Sequence, residues 1–206
     1  MLEYSGKNRG WEWDCETIDL QMISKGVAEL LTSTFNQLPA KMMKALKIVA
    51  IIGSQIEQST VDLLNEGHTV LSFDMQPELE LAVKEGILEK AGPIWQFTHD
   101  LIQSTLFDLI PDTSRKLLHK IVGMKLLNSS EGDQAVLLLA VDQINQFCKD
   151  GKLSSEERNR YITANASAAK FAIASSSFEQ GELLFLVLFW VEASSKGLHL
   201  YTPPSL

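Results

Sequence analysis

The polar cluster Thr98-His99-Asp100 is the sequence's best candidate for a functional site. It follows a short apolar stretch and precedes a run with helical spacing, so it falls where a predicted strand ends and a predicted helix begins. An imidazole beside the unpaired backbone amides of a helix N-terminus can contact an anion. The structural alternative is that Asp100 caps the helix and His99 fills a joint between elements. The residue pattern by itself favours this alternative.

Complete catalytic motifs are missing from the sequence. No GxxxxGK[ST], GxGxxG, HExxH or GxSxG pattern occurs, and the four histidines are scattered. Carboxylate pairs such as Glu78/Glu80 lie in polar segments, where a solvated surface is the expected role. Cys15 and Cys148 are not spaced like metal ligands. We therefore expect no catalytic residues, no metal site and no cofactor held by this chain alone.

Charge and apolar content limit the class of protein. The 206 residues include 26 acidic and 18 basic side chains, and the net charge of -8 disfavours binding to nucleic acids and anionic membranes. The longest apolar run, LLFLVLFWV at residues 183–191, is less than half of the roughly 20 residues that cross a bilayer. The N-terminus lacks the apolar core of a secretory signal. We expect a cytoplasmic protein without membrane contact.

The elements that position the cluster are predicted to be mostly helices. Residues 1–25 have no sustained period and are expected to form an irregular linker. Apolar spacing, which in the first helix runs from Val27 and Leu30 to Phe35, predicts helices at 27–38, 39–53, 60–65, 78–85 and 101–110. Two strands, at 87–90 and 94–97, flank a Gly-Pro turn. A hairpin after several helices is typical of a winged-helix domain, expected at 26–110.

The second half of the chain is predicted to be a helical-repeat arm at 111–206. Amphipathic helices are expected at 112–127, 132–148, 154–174 and 176–190. Ser154 and Glu157 have the spacing of a capping box, which marks one of these starts. The expected fold class is thus mainly α: a winged-helix domain with a short β-hairpin wing, then stacked helical hairpins with a TPR-like start.

Several segments carry a family resemblance. The most specific is FTHDLIQ, LIP and R..LH between Phe97 and His119; others are WEWD at 11–14, LPAKMMKALKIVAIIGSQIE at 38–57, DQINQF at 142–147 and LSSEERNRYITANASAAKFAIASSSFEQG at 153–181. Together they make most of the chain resemble the segment after the nucleotide-binding core of STAND-class, NB-ARC-like signalling ATPases. These are often hybrids with a protein kinase and a sensor histidine kinase. The resemblance implies a winged-helix domain and helical repeats that transmit the nucleotide state to effector domains.

The resemblance also implies a role for the polar cluster. In related NB-ARC proteins a Met-His-Asp motif at the same junction has a histidine that senses the diphosphate of ADP. Thr98, His99 and Asp100 match these positions, with threonine in place of methionine. His99 and Asp100 would therefore sense ADP or ATP only together with an ATPase core. The family has its phosphate-binding loop upstream of WEWD, so this chain is expected to be either a free-standing remnant or part of a longer protein.

Three functions are compatible with these features. The first is a non-catalytic signalling or scaffold module that binds proteins, including a STAND ATPase core in trans, through winged-helix and helical-repeat surfaces; the apolar run at 183–191 supports it. The second is a winged-helix DNA-binding regulator with residues 78–85 in the major groove and Lys90 on the wing, which the acidic helix disfavours. The third is a fragment of an ATP-binding signalling kinase, with residual nucleotide binding at His99.

Overall fold

The computed structural model describes residues 2–5, 10–13, 20–68, 70, 72–148 and 153–175. This part of the chain is mainly helical and contains a small three-stranded antiparallel sheet. Its elements, in chain order, are β1 (Leu2–Ser5), β2 (Gly10–Trp13), α1 (Leu20–Phe35), α2 (Ala40–Ile52), β3 (Gln55–Glu57), α3 (Gln58–Asn65), α4 (Gln76–Lys84), β4 (Leu88–Ala91), β5 (Ile94–Phe97), α5 (Asp100–Asp108), α6 (Asp112–Asn128), α7 (Gln134–Cys148) and α8 (Ser155–Ala174).

The first 25 residues differ from the irregular linker predicted for them. Strands β1 and β2 pair in antiparallel fashion, with Leu2 opposite Trp13, and α1 already begins at Leu20. The prediction of an irregular segment is therefore wrong at these positions. Strands of four residues that mix charged and aromatic side chains have too short a pattern to be recognised from apolar spacing.

The three-stranded sheet has the order β3-β5-β4. The predicted hairpin is confirmed as β4 and β5, and Gly92 in its turn adopts the positive φ of 60° that glycine favours. Strand β3 was not predicted, because Ile56 is the single apolar residue among its three. Ile56 becomes part of the sheet by lying opposite Trp95 of β5, where both side chains are buried.

One apolar core joins the two halves of the described chain. Leu46 of α2 and Leu88 of β4 belong to the same buried cluster as Leu126 of α6 and Val136 of α7. The boundary predicted between residues 110 and 111 is therefore not marked by a break in the core. Helix α1 is less well covered at Leu30: Phe35 is buried, whereas Leu30, on the predicted apolar stripe, is 68% exposed.

Helices α6, α7 and α8 confirm three of the four helices predicted after residue 111. The capping box at the start of α8 is present: Glu157 N donates to Ser154 Oγ (3.2 Å), and Ser154 N donates to Glu157 Oε2 (2.9 Å). Helices α6 and α7 approach each other at Gly123, where an added Cβ would lie 2.6 Å from Ile144 Cγ1. The fourth predicted helix, at 176–190, and the apolar run at 183–191 lie outside the described residues.

The described helices include none with both the length and the apolar character required to cross a membrane.

Candidate functional site

The Thr98-His99-Asp100 cluster lies at the junction between β5 and α5. His99 has extended backbone angles, and its Nδ1 accepts a hydrogen bond from Leu101 N (3.1 Å). His99 is thus the N-cap of α5, and Asp100 is the first helical residue. The expectation that Asp100 caps the helix is wrong. Histidine Nδ1 is bonded to Cγ, as the side-chain oxygens of asparagine and aspartate are, so it can reach the same backbone amide.

Thr98 links this junction to the loop between α4 and β4 through hydrogen bonds. Its Oγ1 donates to the carbonyl oxygen of Gly86 (2.8 Å), and its backbone N–H donates to that of Ile87 (3.2 Å). Gly86 ends α4 with a φ of 71°. Thr98 therefore has a structural role here that the methionine of the family motif could not perform, since a thioether donates no hydrogen bond.

The cluster is open to solvent, because the side chains of Thr98, His99 and Asp100 are all exposed. His99 Nδ1 is occupied as the acceptor for Leu101, so Nε2 is the ring nitrogen left to face a ligand, and in this tautomer it carries a proton. The Asp100 carboxylate is favourable at a helix N-terminus but repels a second anion there. The arrangement can donate one hydrogen bond to a phosphate, and these three residues supply no cationic group.

Glu80, from the carboxylate pair Glu78/Glu80, and Glu157, from the capping box, both make structural contacts. Glu80 is exposed and accepts a hydrogen bond from Gln76 Nε2 (3.2 Å). Glu157 pairs with Lys120 Nζ at 2.9 Å, which links α8 to α6. The hydrogen bond from Lys120, and then the one from the Ser154 amide, hold the pKa of Glu157 below its usual range. Within the described part, no group of three or more histidine, cysteine, aspartate or glutamate side chains could hold a metal ion.

The other described histidine side chain, His119, belongs to the packing of α6 on α7. It is buried, and its Nδ1 is 2.8 Å from Gln143 Oε1 of α7. A buried imidazole with a hydrogen-bond partner satisfies its polar atoms inside the core. His119 and His99 therefore lie in different elements with different partners, and they do not form one site.

A feature that the sequence reasoning missed lies on α2. Lys41, Lys44 and Lys47 recur every third residue. Lys44 and Lys47 border a cavity of about 310 Å³, and the other described residues that line it are Ile48, Val70, Ser72, Phe73 and Leu118. The repeated lysine was a visible signal in the sequence. The apolar lining was not, because Phe73 and Leu118 reach the cavity from elements that are distant along the chain.

Helix α4 and the β4–β5 hairpin present mainly acidic side chains. Glu80, Glu85 and Glu89 are exposed there, together with Lys84 and Lys90. The Lys90 ammonium lies 4.0 Å from the centre of the Trp95 ring and donates to Gln58 Oε1 (3.2 Å). The Lys90 ammonium therefore already interacts with Trp95 and Gln58 of the protein.

Comparisons with known proteins do not assign this chain to a family. No protein-family model, curated protein or solved structure matches the chain. The resemblance to STAND-class ATPases therefore stays a prediction, and the functional argument depends on the residues of this chain.

Proposed function

We propose that this chain is a non-catalytic signalling or scaffold module that acts in the cytoplasm by binding other proteins. The observation that carries the proposal is the apolar core shared by the three-stranded sheet, helices α2 to α5 and the α6–α7 hairpin. Close-packed interiors transmit strain, so a partner that moves one half of such a core displaces the other. Exposed apolar side chains such as Leu30 and Leu117, 68% and 55% exposed, are available for contacts.

At the level of fold, we propose a winged-helix domain at 26–110 and the TPR-like start of a helical-repeat arm from 111. The order helix, strand, helix, helix, strand, strand from α2 to β5 supports the first assignment, with β4 and β5 as the wing. The close packing of α6 on α7 at Gly123, followed by α8, supports the second.

The charge on α4 and the hairpin favours a protein partner over DNA. A winged-helix regulator would insert residues 78–85 into the major groove, where phosphates and base edges require basic side chains. Glu80 and Glu85 are exposed along this segment, and Lys90 on the wing is engaged with Trp95. We therefore keep DNA binding only as the alternative that the experiment must exclude.

The partner that we propose is a STAND ATPase core acting in trans. In that complex, Nε2 of the exposed His99 side chain would donate a hydrogen bond to the diphosphate of the ADP that the core holds. Asp100 is the first residue of the same helix, α5, and would lie next to this contact. One imidazole gives little affinity, so nucleotide binding would require the phosphate loop of the core. The third alternative, residual nucleotide binding by the chain alone, predicts ADP affinity without a partner.

The test is a binding measurement with three probes. The immobilised chain is titrated with purified STAND ATPase cores from the source organism loaded with ADP, with a mixed-sequence DNA duplex, and with ADP alone. Saturable binding of a core without duplex binding supports the proposal. Salt-dependent duplex binding replaces it with the DNA regulator, ADP binding by the chain alone replaces it with the nucleotide-binding fragment, and the absence of any core binding overturns the ATPase core as the partner.

Two substitutions at one position separate sensing from capping. His99→Asn retains an N-cap residue but removes the imidazole, whereas His99→Ala removes both. If the imidazole senses nucleotide, both variants lose the dependence of core binding on ADP. If His99 only caps α5, His99→Asn behaves as wild type and His99→Ala is less stable by about 1 kcal/mol.

A further inference from the structure

The cavity beside α2 combines an apolar floor with a cationic rim. Ile48 of α2 is buried at its base, and Phe73, from the loop before α4, and Leu118 of α6 are half-buried along its sides. Its volume of about 310 Å³ is at the lower end of the range for ligand pockets. Lys44 and Ser72 at the rim are exposed, so the cavity is open to solvent on that side.

Two lysines give this rim an unbalanced positive charge. Lys44 and Lys47 are one helical turn apart and therefore lie on the same side of α2. Within the described part, neither Lys44 nor Lys47 pairs with a carboxylate.

Lys41 adds a third cation beside the same cavity. Its ammonium is 5.7 Å from the centre of the Phe73 ring, and the Lys41 side chain is exposed. In a chain with a net charge of -8, three cations at consecutive turns of one helix form a local exception. Charges further away than about 8–10 Å are largely screened at physiological salt, so this local charge, and not the net charge, governs a short ligand.

We propose that this cavity is a docking site for an acidic peptide segment of a partner protein that carries one large apolar side chain. The acidic groups would meet Lys44 and Lys47, and the apolar side chain would enter between Phe73 and Leu118. Charge complementarity argues for this occupant, since the rim cations lack carboxylate partners of their own. The inference depends on the proposed protein-binding function and names the partner's chemistry.

The same observations disfavour a nucleic acid at this site. The phosphates of a duplex would use the lysines, but its bases are stacked on one another and do not fill the space beside Phe73 and Leu118. A long polyanion would also extend beyond the screening distance and meet the acidic remainder of the surface. A short segment avoids this repulsion.

The probe is a fluorescein-labelled synthetic peptide with four acidic residues around one tryptophan, followed by fluorescence polarisation. Lys44→Gln/Lys47→Gln is compared with Lys84→Gln/Lys170→Gln, a control at two exposed lysines on α4 and α8 with the same change in net charge. We expect the α2 variant to bind about tenfold more weakly, as two partly screened charge pairs imply, and the control to change by less than about twofold. Circular dichroism verifies that both variants are folded.

Further measurements with the peptide decide the proposal. Replacing the acidic residues of the peptide by their amides, or its tryptophan by alanine, should each weaken binding by about tenfold. Equal losses in both lysine variants, or no binding of the peptide, overturn the proposal. Displacement of the peptide by dodecanoate or inorganic phosphate with higher affinity than the peptide itself also overturns it, because the site would then belong to a small anion.

The same variants separate this inference from the proposed function. If an ATPase core binds wild type and the Lys44→Gln/Lys47→Gln variant equally and the peptide does not bind, the docking site is wrong and the protein-binding function stands. If the peptide binds through Lys44 and Lys47 and no core binds, the docking site stands and the ATPase partner is wrong.

Discussion

Replacing Gly123 with alanine tests the packing of α6 on α7. The new Cβ would lie 2.6 Å from Ile144 Cγ1 and 3.0 Å from both Ala140 O and Ile144 N, whereas carbon atoms in favourable contact are about 3.5–4.0 Å apart. Overpacking a core costs about 1–3 kcal/mol. Alanine is more favourable than glycine inside a helix by about 1 kcal/mol, which offsets part of this cost. Because two of the three atoms belong to the backbone and cannot rotate away, we expect the upper part of this cost, about 2–3 kcal/mol, and therefore a net loss of about 1–2 kcal/mol.

Gly26→Ala is the matched control, since Gly26 lies in α1 and an added Cβ there meets nothing within 4 Å. It should show only the gain in helix propensity, up to about 1 kcal/mol. Both variants are measured by urea unfolding followed by far-ultraviolet circular dichroism. If Gly123→Ala is as stable as wild type, or gains as much as Gly26→Ala, the close approach of the two helices is refuted.

Three further predictions use the same unfolding assay or a chemical probe. Gln58→Ala removes the acceptor of the buried Trp95 indole N–H (3.0 Å), which should cost about 1–3 kcal/mol; no change would contradict this bond. Lys120 and a backbone amide lower the pKa of Glu157, so the ionised carboxylate stabilises the folded state above pH about 4 and loses this effect as the pH falls through the lowered pKa. Glu157→Gln should therefore be less stable than wild type by about 0.5–1 kcal/mol at neutral pH, with convergence in acid as the check. Burial raises the pKa of Cys148 to about 12, so iodoacetamide should alkylate it only after unfolding, and site-resolved mass spectrometry that finds native labelling would contradict its position.

Helices were the most predictable part of this chain. The spacing of apolar residues indicated α2 and α5 to α8 to within a few residues, and Ser154 with Glu157 marked the start of α8. These signals are local, because helix hydrogen bonds and caps join residues three or four positions apart. The Gly92-Pro93 turn identified the β4–β5 hairpin for the same reason.

The strand-to-helix junction was located correctly, but the contacts within it were not predicted. The strand-to-helix junction around His99 followed from the change in apolar period. Which side chain caps α5 depends on the rotamer and backbone angles of His99, and the Thr98 bond to Gly86 requires the α4–β4 loop to be adjacent. Neither contact has a signature in the spacing of residue types.

By itself, the sequence determined most of the helices of this protein, the β4–β5 hairpin, a polar strand-to-helix junction and lysines at every third position of α2. Only the tertiary structure decided that β3 joins the sheet and that one core extends across residue 111. It also decided that Phe73 and Leu118 pack near the α2 lysines and form a cavity beside them. Local elements follow from hydrogen bonds and apolar periodicity within a few residues. The sheet order, the shared core and the cavity require contacts between distant segments, which only the packing of the whole chain brings together.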